Sequence, residues 1–581
     1  MPGLRAPAGV LRGGVRELVE AKTVLIGGEA GQGLVTVGQL LSKTLVRAGW
    51  RICVTQGYQS RVRGGHNTWA IRFGDREIGA PDEAVDLLVA LDQESIGVHR
   101  GDLAPGGLLI ADEGLESRGL PGLRVPFAQL AAVKHANVAA LGITGTLLGL
   151  PEELMAGAVE ELFGKKGPDA TAENRRALAE ACRWTLGAGA SFPLPERPAP
   201  AAPRVMLNGN EALALGAFSG GLRFFAFYPM TPSTSISLTV AAHAAALGVV
   251  AEQAEDEIAA VNMAVGASFA GAPAMVATSG GGFALMVEGV SLAAMTETPL
   301  VVVVAQRPGP ATGLPTRTEQ ADLEFVLHAG HGEFARAILA PGTPEECFLL
   351  GRKALFLAEL FQGPVFILTD QFLADSYRAV LPFEVLALPA VSAGYAGEVA
   401  APYRRYAITE DGVSPRLLPG RTHHLVVADS DEHTEDGHLT EDLEVRGRMV
   451  AKRLAKLEGL RLETLPPRLA GPAGAQLLLV SWGTTGAAAE EAAQVLRDRG
   501  IPAAALHFTQ VWPLDPQQFL GTLRAAGRVV FVEGNATGQF ERLIRRETGF
   551  VGAGHVRRCD GLPITPGYIL RALAAQGISG Q

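Results

Sequence analysis

The sequence predicts a multidomain α/β protein, and three observations support this prediction. Apolar, often β-branched runs of strand length alternate with Ala- and Leu-rich runs of helical length, as in βα units. Loops rich in Gly, Ser, Thr and Pro follow several of the strands. With 581 residues, the chain is too long to fold around one core. We therefore expect several α/β domains whose loops carry the functional residues.

The composition argues against several classes of protein. Hydrophobic residues make up 48% of the chain and charged residues 19%, which is typical of a well-packed enzyme and not of a disordered chain. The net charge of −10 disfavours a nucleic-acid partner. No uninterrupted apolar run reaches the roughly 18 residues of a membrane span. We expect a cytoplasmic protein that binds neither nucleic acid nor membranes.

The four cysteines, Cys53, Cys182, Cys347 and Cys559, are widely scattered. Without a Cys-x-x-Cys run, they predict neither a zinc site nor an iron–sulfur motif on this chain. Isolated thiols are typical of a reducing compartment.

Composition also divides the chain. Five prolines between residues 191 and 204 indicate a semi-rigid linker, and periodicity weakens after residue 384. We predict a tail over 1–21, an α/β domain over 22–190, the linker over 191–204, a second α/β domain over 205–384, an irregular connection over 385–474 and a third α/β domain over 475–581.

In the first domain, a strand over Lys22–Ile26 precedes the glycine-rich loop Gly27–Gly33 and a helix over Leu34–Ala48. This order of elements can cradle a phosphate on backbone amides. The spacing is not that of the dinucleotide fingerprint, so a tight turn without a ligand is an equal alternative. The polar loop Gly57–Asn67 could bind an anion or contact another subunit.

In the second domain, Tyr228–Ser235 follows the predicted strand Leu222–Phe227 and precedes a helix over Ile236–Leu247. In an open α/β sheet, ligands bind at such strand ends. Pro232 suits the first helical turn, where Thr231 could cap the free amides. An ordinary capped helix start is the alternative.

A second loop of this domain is acidic. Ala251–Glu257 precedes a helix that extends to Ala270 and is rich in small residues, so we expect this helix to be buried. Acidic residues at a helix N-terminus ordinarily offset the helix dipole. A carboxylate in a closed interface would instead have a raised pKa and could transfer a proton.

Two further loops follow predicted strands of this domain. Ser279–Phe283 follows Pro273–Thr278, and Arg307–Gln320 follows Pro299–Gln306. A loop as long as the second is usually functional inside a compact domain. Several loops that meet at one edge of a sheet are stronger evidence for a site than any one of them.

Two other features receive an ordinary interpretation. Asp429–His438 resembles a metal-binding run but lacks the glycine that a calcium loop requires, so a solvated acidic loop or a partner contact is favoured. His507, at the end of a predicted strand, is interpreted as structural.

Linked motifs, in one order along the chain, are similar to those of a known family. They are Gly209-Asn-Glu-Ala212, Tyr228-Pro-Met-Thr-Pro-Ser-Thr234, Gln253-Ala-Glu-Asp-Glu257, Ala277-Thr-Ser-Gly280, Met295-Thr-Glu-Thr-Pro299, Arg307-Pro-Gly-Pro310, Thr312-Gly-Leu-Pro-Thr-Arg-Thr-Glu-Gln320 and Glu533-Gly-Asn-Ala-Thr-Gly-Gln539. Together they resemble the alpha subunit of 2-oxoacid:ferredoxin oxidoreductases of the 2-oxoglutarate type. Gly28-Glu-Ala-Gly-Gln-Gly33 and Arg63-Gly-Gly-His66 resemble the family's gamma subunit, so the whole resembles a gamma–alpha fusion.

The resemblance implies a fold for each domain and a reaction. The second domain would have the thiamine-diphosphate-binding fold of the pyrimidine-domain type, the third would be transketolase C-terminal-like, and the first a gamma-type α/β domain. The implied reaction is CoA-dependent oxidative decarboxylation of 2-oxoglutarate or a related 2-oxoacid to acyl-CoA and CO2, with reduction of ferredoxin. The implied cofactors are thiamine diphosphate, Mg2+ and a [4Fe–4S] cluster, with coenzyme A as co-substrate.

Matching of the motifs also implies residue roles. A carboxylate that bonds the aminopyrimidine ring of the cofactor is expected at Glu255, with Glu257 as the alternative. The substrate carboxylate is expected at Thr231 and Arg307, the latter through charge-assisted hydrogen bonds. The other expected contacts are Tyr228, Thr312 and Thr316 around the substrate, and Gly28, Gly31, Gly33 and Arg63 near coenzyme A.

The family's Gly-Asp-Gly run for magnesium and diphosphate is absent here, as are cluster cysteines. The resemblance therefore implies a separate beta subunit that supplies both, in a heterodimer or a dimer of heterodimers. Met230, Gly281 and Arg317 replace the family's usual Ile, Pro and Lys. The last change alters hydrogen-bond geometry and leaves the substrate range open.

Two other functions stay open. A non-catalytic assembly or regulatory subunit would have no physical need for Thr231, Glu255 and Arg307. Half of a non-redox thiamine-dependent decarboxylase would have no need for a gamma-like domain, since simple decarboxylation uses no coenzyme A.

Overall fold

The computed structural model describes residues 21–59, 64–190, 192, 194, 198, 202–389, 391, 395–397 and 399–578. The described residues form two compact units. Unit 1 contains the residues up to Leu207 together with Ser376–Pro382 and Thr565–Arg571. Unit 2 contains Asn208–Asp375, Phe383–Ile564 and the residues from Ala572 onward. Most of the predicted tail and linker lies outside the described residues.

The elements alternate between strand and helix over most of the chain. The strands are β1 (Lys22–Glu29), β2 (Arg51–Gly57), β3 (His66–Gly74), β4 (Val85–Ala90), β5 (Leu103–Asp112), β6 (Gly122–Val125), β7 (Val205–Leu207), β8 (Phe224–Phe227), β9 (Val250–Gln253), β10 (Ala274–Thr278), β11 (Leu300–Gln306), β12 (Ala337–Leu339), β13 (Pro364–Asp370), β14 (Arg378–Val380), β15 (Arg468–Ala470), β16 (Leu477–Trp482), β17 (Ala503–Phe508), β18 (Gln510–Trp512), β19 (Arg528–Glu533) and β20 (Gly554–Arg557). The helices are α1 (Leu34–Arg47), α2 (Gln93–His99), α3 (Phe127–Leu130), α4 (Ala136–Leu147), α5 (Glu152–Phe163), α6 (Pro168–Gly187), α7 (Gly209–Ser219), α8 (Thr234–Leu247), α9 (Glu257–Phe269), α10 (Gly280–Met295), α11 (Leu323–His328), α12 (Pro344–Phe361), α13 (Gln371–Asp375), α14 (Leu443–Leu462), α15 (Gly486–Asp498), α16 (Leu520–Ala525), α17 (Gln539–Thr548) and α18 (Pro566–Ala575).

Unit 1 is built on a mixed sheet with the strand order β6-β5-β4-β1-β3-β2-β14-β7. β1 runs parallel to β4 and antiparallel to β3, with Gly28 opposite Asn67. Apolar side chains of β1, such as Val24 and Ile26, pack in one core with Leu41 of α1. The glycine-rich loop therefore leaves the sheet at its centre and enters α1, as the sequence predicts.

Unit 2 contains a central sheet with the order β18-β12-β13-β11-β10-β8-β9. All its strands are parallel except β18, which pairs antiparallel with β12. Every residue of β11 is buried, as expected for a β-branched strand covered on both faces. One core contains side chains of α9 and α10, and the other contains side chains of α7, α8 and α12. The sheet therefore lies between two helical layers.

The C-terminal part of unit 2 forms a smaller sheet with the order β15-β17-β16-β19-β20. β16, β17, β19 and β20 are parallel, and β15 pairs antiparallel with β17. This sheet shares a buried cluster with the α9–α10 side of the central sheet. Because β18 also joins the central sheet, the smaller sheet belongs to the same packed unit as the central sheet.

The connection between the two sheets is irregular before α14, as the sequence predicts. Asp442 caps α14 and accepts hydrogen bonds from the amides of Glu444 and Val445. The helix brings Lys452 and Lys456 to Glu297, each with an Nζ–carboxylate distance of 2.5 Å. These ion pairs fix the irregular segment to the end of α10. Among the described residues, no helix is long and apolar enough to cross a membrane.

Two expectations about local structure are wrong. α8 begins at Thr234, so Pro232 is not in its first turn and Thr231 does not cap it. The hydroxyl and amide of Ser233 instead bond back to the carbonyl of Met230, which closes a separate turn before the helix. α9 is buried on one face only, because Ile258 and Met263 are exposed.

Candidate functional site

The parallel strands β8, β9, β10, β11 and β13 end at the same edge of the central sheet, which we call the carboxyl edge. The loops after β8, β9, β10 and β11 are those that the sequence singles out. A crevice at the carboxyl ends of the strands is where open α/β sheets bind ligands.

Glu257 is a buried acid at this edge. It is the first residue of α9, it follows the capping residue Asp256, and it is 2% exposed. Its Oε1 is buried and has no hydrogen-bond partner within the described chain. An unsatisfied buried carboxylate oxygen is costly, about 1–3 kcal/mol or more, so it indicates a position shaped for a ligand.

The glycine run after β10 makes room for this acid. A Cβ atom at Gly282 would lie 2.5 Å from Glu257 Oε1 and 2.2 Å from Thr278 Oγ1. A Cβ at the adjacent Gly281 would meet only the carbonyl oxygen of Ala311, at 3.8 Å. Gly282 therefore lets α10 approach the Glu257 carboxylate, and Gly281 has no such role.

Glu255, the preferred acid in the sequence interpretation, is exposed. It lies in the short turn between β9 and α9, two residues before Glu257. Since β9 extends to Gln253 and Asp256 caps the helix, the inward position falls on Glu257. The structure thus separates the two candidates by burial.

Asn210 holds the loop after β8. It lies in the first turn of α7, and its Nδ2 donates to the carbonyl of Pro232 at 2.9 Å and to Ser235 Oγ at 2.7 Å. Its Oδ1 is buried and without a partner among the described residues. The sequence contains Asn210 in a motif, but nothing in the motif reveals this contact.

Arg307 joins the loops after β8 and β11. Its Nη1 donates to the backbone carbonyl of Thr231 at 2.6 Å, and both residues are half-buried. Burial lowers the pKa of Arg307, and the opposite charge of Asp322 partly offsets this effect. The structure therefore brings together two of the residues expected at the substrate carboxylate.

Asp322 is a site residue that sequence reasoning missed. Its Oδ2 is buried, lacks a hydrogen-bond partner in the described part of the chain, and lies 2.6 Å from a Cβ built on Gly280. Burial raises the pKa of Asp322 to about 6 despite the opposing charge of Arg307. The loop that the sequence singles out ends at Gln320, two residues before Asp322.

Three of the expected pocket residues are more exposed. Tyr228 is 39% exposed, Thr312 is exposed and Thr316 is half-buried. The turn between Pro308 and Leu314 is closed by a hydrogen bond from the Leu314 amide to the Pro308 carbonyl. These side chains lie on the open side of the carboxyl edge.

Buried polar atoms without a partner recur at this edge. Within the described ranges, they are Asn210 Oδ1, Glu257 Oε1, Ser279 Oγ, Asp322 Oδ2 and Thr369 Oγ1. Since native proteins satisfy most buried polar groups, this concentration is typical of a site that receives polar ligand atoms. Glu257 Oε1 can accept a hydrogen bond from a ligand, and the Arg307 guanidinium can donate hydrogen bonds to one.

The glycine-rich loop of unit 1 is a turn closed by two hydrogen bonds. The Gln32 amide donates to the Glu29 carbonyl, and the Glu29 amide donates to Gln32 Oε1. Gly28 ends the buried part of β1, while Gly31 and Gly33 have positive φ values of 102° and 81°. Gly33 precedes α1 without a side-chain cap. Arg63 lies outside the described residues.

The acidic run Asp429–His438 is engaged in internal contacts. Glu432 pairs with Arg446 and Arg453 of α14, and the buried His433 ring packs on Tyr406. In the part of the chain that the structure describes, no three His, Cys, Asp or Glu side chains are placed to hold a metal ion. His507 is buried and contacts Ser481 Oγ at 3.3 Å.

Three family models match the chain. The model for pyruvate flavodoxin/ferredoxin oxidoreductase, thiamine diphosphate-binding, matches residues 215–452. The model for pyruvate ferredoxin/flavodoxin oxidoreductase matches residues 23–184. The model for the transketolase C-terminal domain matches residues 470–546. The multidomain α/β fold with a thiamine-diphosphate domain and a transketolase C-terminal domain is thus confirmed.

Relatives match almost the whole chain. The alpha subunit of 2-oxoacid:ferredoxin oxidoreductase 2 of Aeropyrum pernix is 31% identical and covers 93% of this chain and 95% of its own length. The 2-oxoglutarate oxidoreductase subunit KorA of Mycobacterium tuberculosis is 28% identical, and the match covers 91% of this chain and 88% of that protein. Among solved structures, 2-oxoglutarate:ferredoxin oxidoreductase from Magnetococcus marinus with 2-oxoglutarate, coenzyme A and succinyl-CoA bound has a TM-score of 0.90 at 30% identity, over 96% of this chain and 99% of that one.

Proposed function

The chain belongs to the alpha subunits of 2-oxoacid:ferredoxin oxidoreductases, and from this premise we propose the reaction and the role of each residue. The reaction is CoA-dependent oxidative decarboxylation of 2-oxoglutarate or a related 2-oxoacid to acyl-CoA and CO2, with ferredoxin as the electron acceptor. Support for 2-oxoglutarate comes from the relatives that are named for it. The observation that carries the proposal is the buried, unpartnered Oε1 of Glu257 at the carboxyl edge.

Thiamine diphosphate, when bound, supplies a carbon nucleophile and an electron sink for decarboxylation. Glu257 would hold its aminopyrimidine ring through Oε1 and exchange a proton at that oxygen. We prefer Glu257 to Glu255 for this role because only the former is buried. Gly282 leaves the space that the carboxylate needs.

Arg307 would bind the carboxylate of the 2-oxoacid. Its guanidinium has five N–H donors, and the bond to the Thr231 carbonyl orients it toward the loop after β8. Half-burial strengthens an ion pair relative to one in water. Thr231 would form the opposite side of this subsite, and Tyr228, Thr312 and Thr316 would contact the rest of the substrate from its open side.

A beta subunit would supply what this chain lacks. The name alpha subunit implies such a partner, and the sequence contains neither a Gly-Asp-Gly run nor paired cysteines. Mg2+, the diphosphate contacts and the [4Fe–4S] cluster would therefore belong to the beta subunit. The assembly would be a heterodimer or a dimer of heterodimers.

Coenzyme A would be the ligand of unit 1. Gly28, Gly31 and Gly33 support this assignment because two of them adopt positive φ at a strand–helix turn with an uncapped helix start, which suits a phosphate. Arg63 is proposed on its sequence motif alone.

The test is a co-expression experiment with a partner chain that carries Cys-x-x-Cys and Gly-Asp-Gly runs. A brown complex should form and should reduce ferredoxin or a viologen with 2-oxoglutarate and coenzyme A, with the acyl-CoA product identified by mass spectrometry. Decarboxylation without electron transfer would indicate a non-redox decarboxylase instead. No turnover across a panel of 2-oxoacids would reject the catalytic proposal in favour of an assembly subunit.

A further inference from the structure

The loop that begins at Arg307 is held at its far end by residues of the C-terminal domain, the region that matches the transketolase C-terminal model. The amide of Gln320 donates to the carbonyl of Gly534 at 2.6 Å. The Gly534 amide donates to Gln320 Oε1 at 2.9 Å, and Gln320 Nε2 donates to the carbonyl of Trp482, also at 2.9 Å. Gln320 is 2% exposed, so these bonds form away from water.

Two further side chains of the C-terminal domain bond to the same segment. Asn535 Nδ2 donates to the Gln320 carbonyl at 3.1 Å. Gln539 Nε2 donates to the Ala321 carbonyl at 2.7 Å, and its Oε1 accepts from the Glu324 amide at 3.0 Å. We call Gln320, Asn535 and Gln539, with the backbone groups they bond, the loop clamp.

A buried acid orients one member of the clamp. Glu533 Oε2 accepts from Asn535 Nδ2 at 2.9 Å and from Trp482 Nε1 at 3.2 Å. The Glu533 carboxylate also accepts hydrogen bonds from the amides of Phe540 and Glu541 at the start of α17. Asn535 and Gln539 of this motif therefore hold residues 320–324, while Glu533 and Asn535 also fix the motif's own turn into α17.

The clamp ends next to Asp322, whose backbone amide bonds to the side chain of the residue before Arg307. The amide of Asp322 donates to Gln306 Oε1 at 3.0 Å, so the returning loop is tied to the end of β11 beside Arg307. The Asp322 carboxyl interacts electrostatically with the Arg307 guanidinium. A shift of residues 320–322 would disturb the hydrogen bond from the Asp322 amide to Gln306, the residue directly before Arg307.

We propose that the C-terminal domain positions the substrate-binding arginine, acting through the loop clamp on residues 320–324. Gln320, Asn535 and Gln539 are positioning residues, because they touch neither substrate nor cofactor in this assignment. Hydrogen bonds to the backbone are directional and fix the register of the loop, whereas apolar contacts between the domains do not. The expected change in the KM rests on the proposed role of Arg307, whereas the expected change in hydrogen exchange of the loop does not.

The test uses Gln320→Ala and Gln539→Ala, each in the full chain and in complex with the partner subunit. Gln510→Ala is the matched control, because Gln510 is also a buried glutamine that bonds backbone groups, at Leu465 and Trp512, away from the loop. Both clamp variants should raise the KM for the 2-oxoacid roughly tenfold, since each loses two side-chain hydrogen bonds. The KM for coenzyme A should stay unchanged, and hydrogen exchange of residues 308–322 should accelerate in the unliganded chain.

The control should lower thermal stability without changing the KM or the exchange of this loop. Unchanged exchange in both clamp variants would overturn the proposal. Faster exchange with an unchanged KM would also overturn it, provided that Arg307→Ala raises the KM. If Arg307→Ala leaves the KM unchanged, the assignment of Arg307 fails, and the exchange alone decides whether the clamp holds the loop.

Discussion

At the scale of single residues, the site depends on which of two nearby acids points inward. Glu255 and Glu257 lie in one acidic run. Matching of the motif favours Glu255, but which side chain is buried depends on where β9 ends and α9 begins. In the structure, Asp256 caps the helix, because its Oδ1 accepts a hydrogen bond from the Ala259 amide at 2.7 Å. This cap makes Glu257 the first helical residue and turns its side chain into the protein.

We expect Glu257→Gln to slow 2-oxoacid turnover in the complex by about 100-fold or more, since proton transfer contributes that much. Glu255→Gln is the matched control and should retain most of the activity. Exchange of the proton on the thiazolium carbon, followed by NMR with cofactor bound, separates a loss of proton transfer from a loss of binding. Normal exchange in Glu257→Gln would remove this residue from the proposed role.

Gly282 and Gly281 offer a second pair of matched variants. Gly282→Ala should destabilise the fold by about 1–3 kcal/mol and displace the Glu257 carboxylate, because its Cβ would lie too close to two oxygen atoms. Gly281→Ala should be neutral or should stabilise the exposed helix start by up to about 1 kcal/mol. Chemical unfolding and the rate of turnover measure both effects. Equal free energies of unfolding for the two variants would contradict this prediction, because they would show that a Cβ at Gly282 is accommodated without strain.

At the scale of elements, periodicity predicts the long strands and helices and misses the short ones. The runs at β11 and α1 are recovered within a residue or two. β14 and β18 are not, because three residues carry no periodic signal and their partners β2 and β12 are far away along the chain. The loops could be predicted as functional from their composition, but their mutual contacts, such as Arg307 with Thr231, depend on the order of the strands.

The attachment of α14 depends on a buried ion cluster that no local pattern reveals. Burial alone would raise the pKa of Glu297, but Lys456, Lys452 and Arg405 together lower it to about 2. The ordinary value for this side chain is 4.5. Its ionised form therefore contributes stability above about pH 4.5, and this contribution is lost as the pH falls toward 2.

We expect Glu297→Gln to lower the free energy of unfolding at pH 7 by about 3–5 kcal/mol, because two buried ammonium groups lose their counter-charge. The variant should also show a smaller loss of stability between pH 4.5 and pH 2 than the unmodified protein. Glu458→Gln, at an exposed pair with Arg461, is the control and should change stability by less than about 1 kcal/mol. Urea unfolding over this pH range measures both variants. Identical pH profiles with and without Glu297 would contradict the account.

At the scale of the whole molecule, the chain combines three regions that match three family models. The motifs could identify the family because they are linked in one order over most of the chain. They could not reveal that the C-terminal domain reaches the substrate loop, since Gln320 and Asn535 are separated by more than 200 residues and meet only in the fold.

The central claim is that this chain supplies one half of an active site. Its most direct test is the rate of 2-oxoglutarate-dependent viologen reduction, with coenzyme A and thiamine diphosphate, by this chain alone, by the partner chain alone and by the two together. We predict no turnover from either chain and full activity from the complex, which Glu257→Gln in this chain then abolishes. Turnover by this chain alone would contradict the claim. So would a complex whose rate of viologen reduction is unchanged by Glu257→Gln.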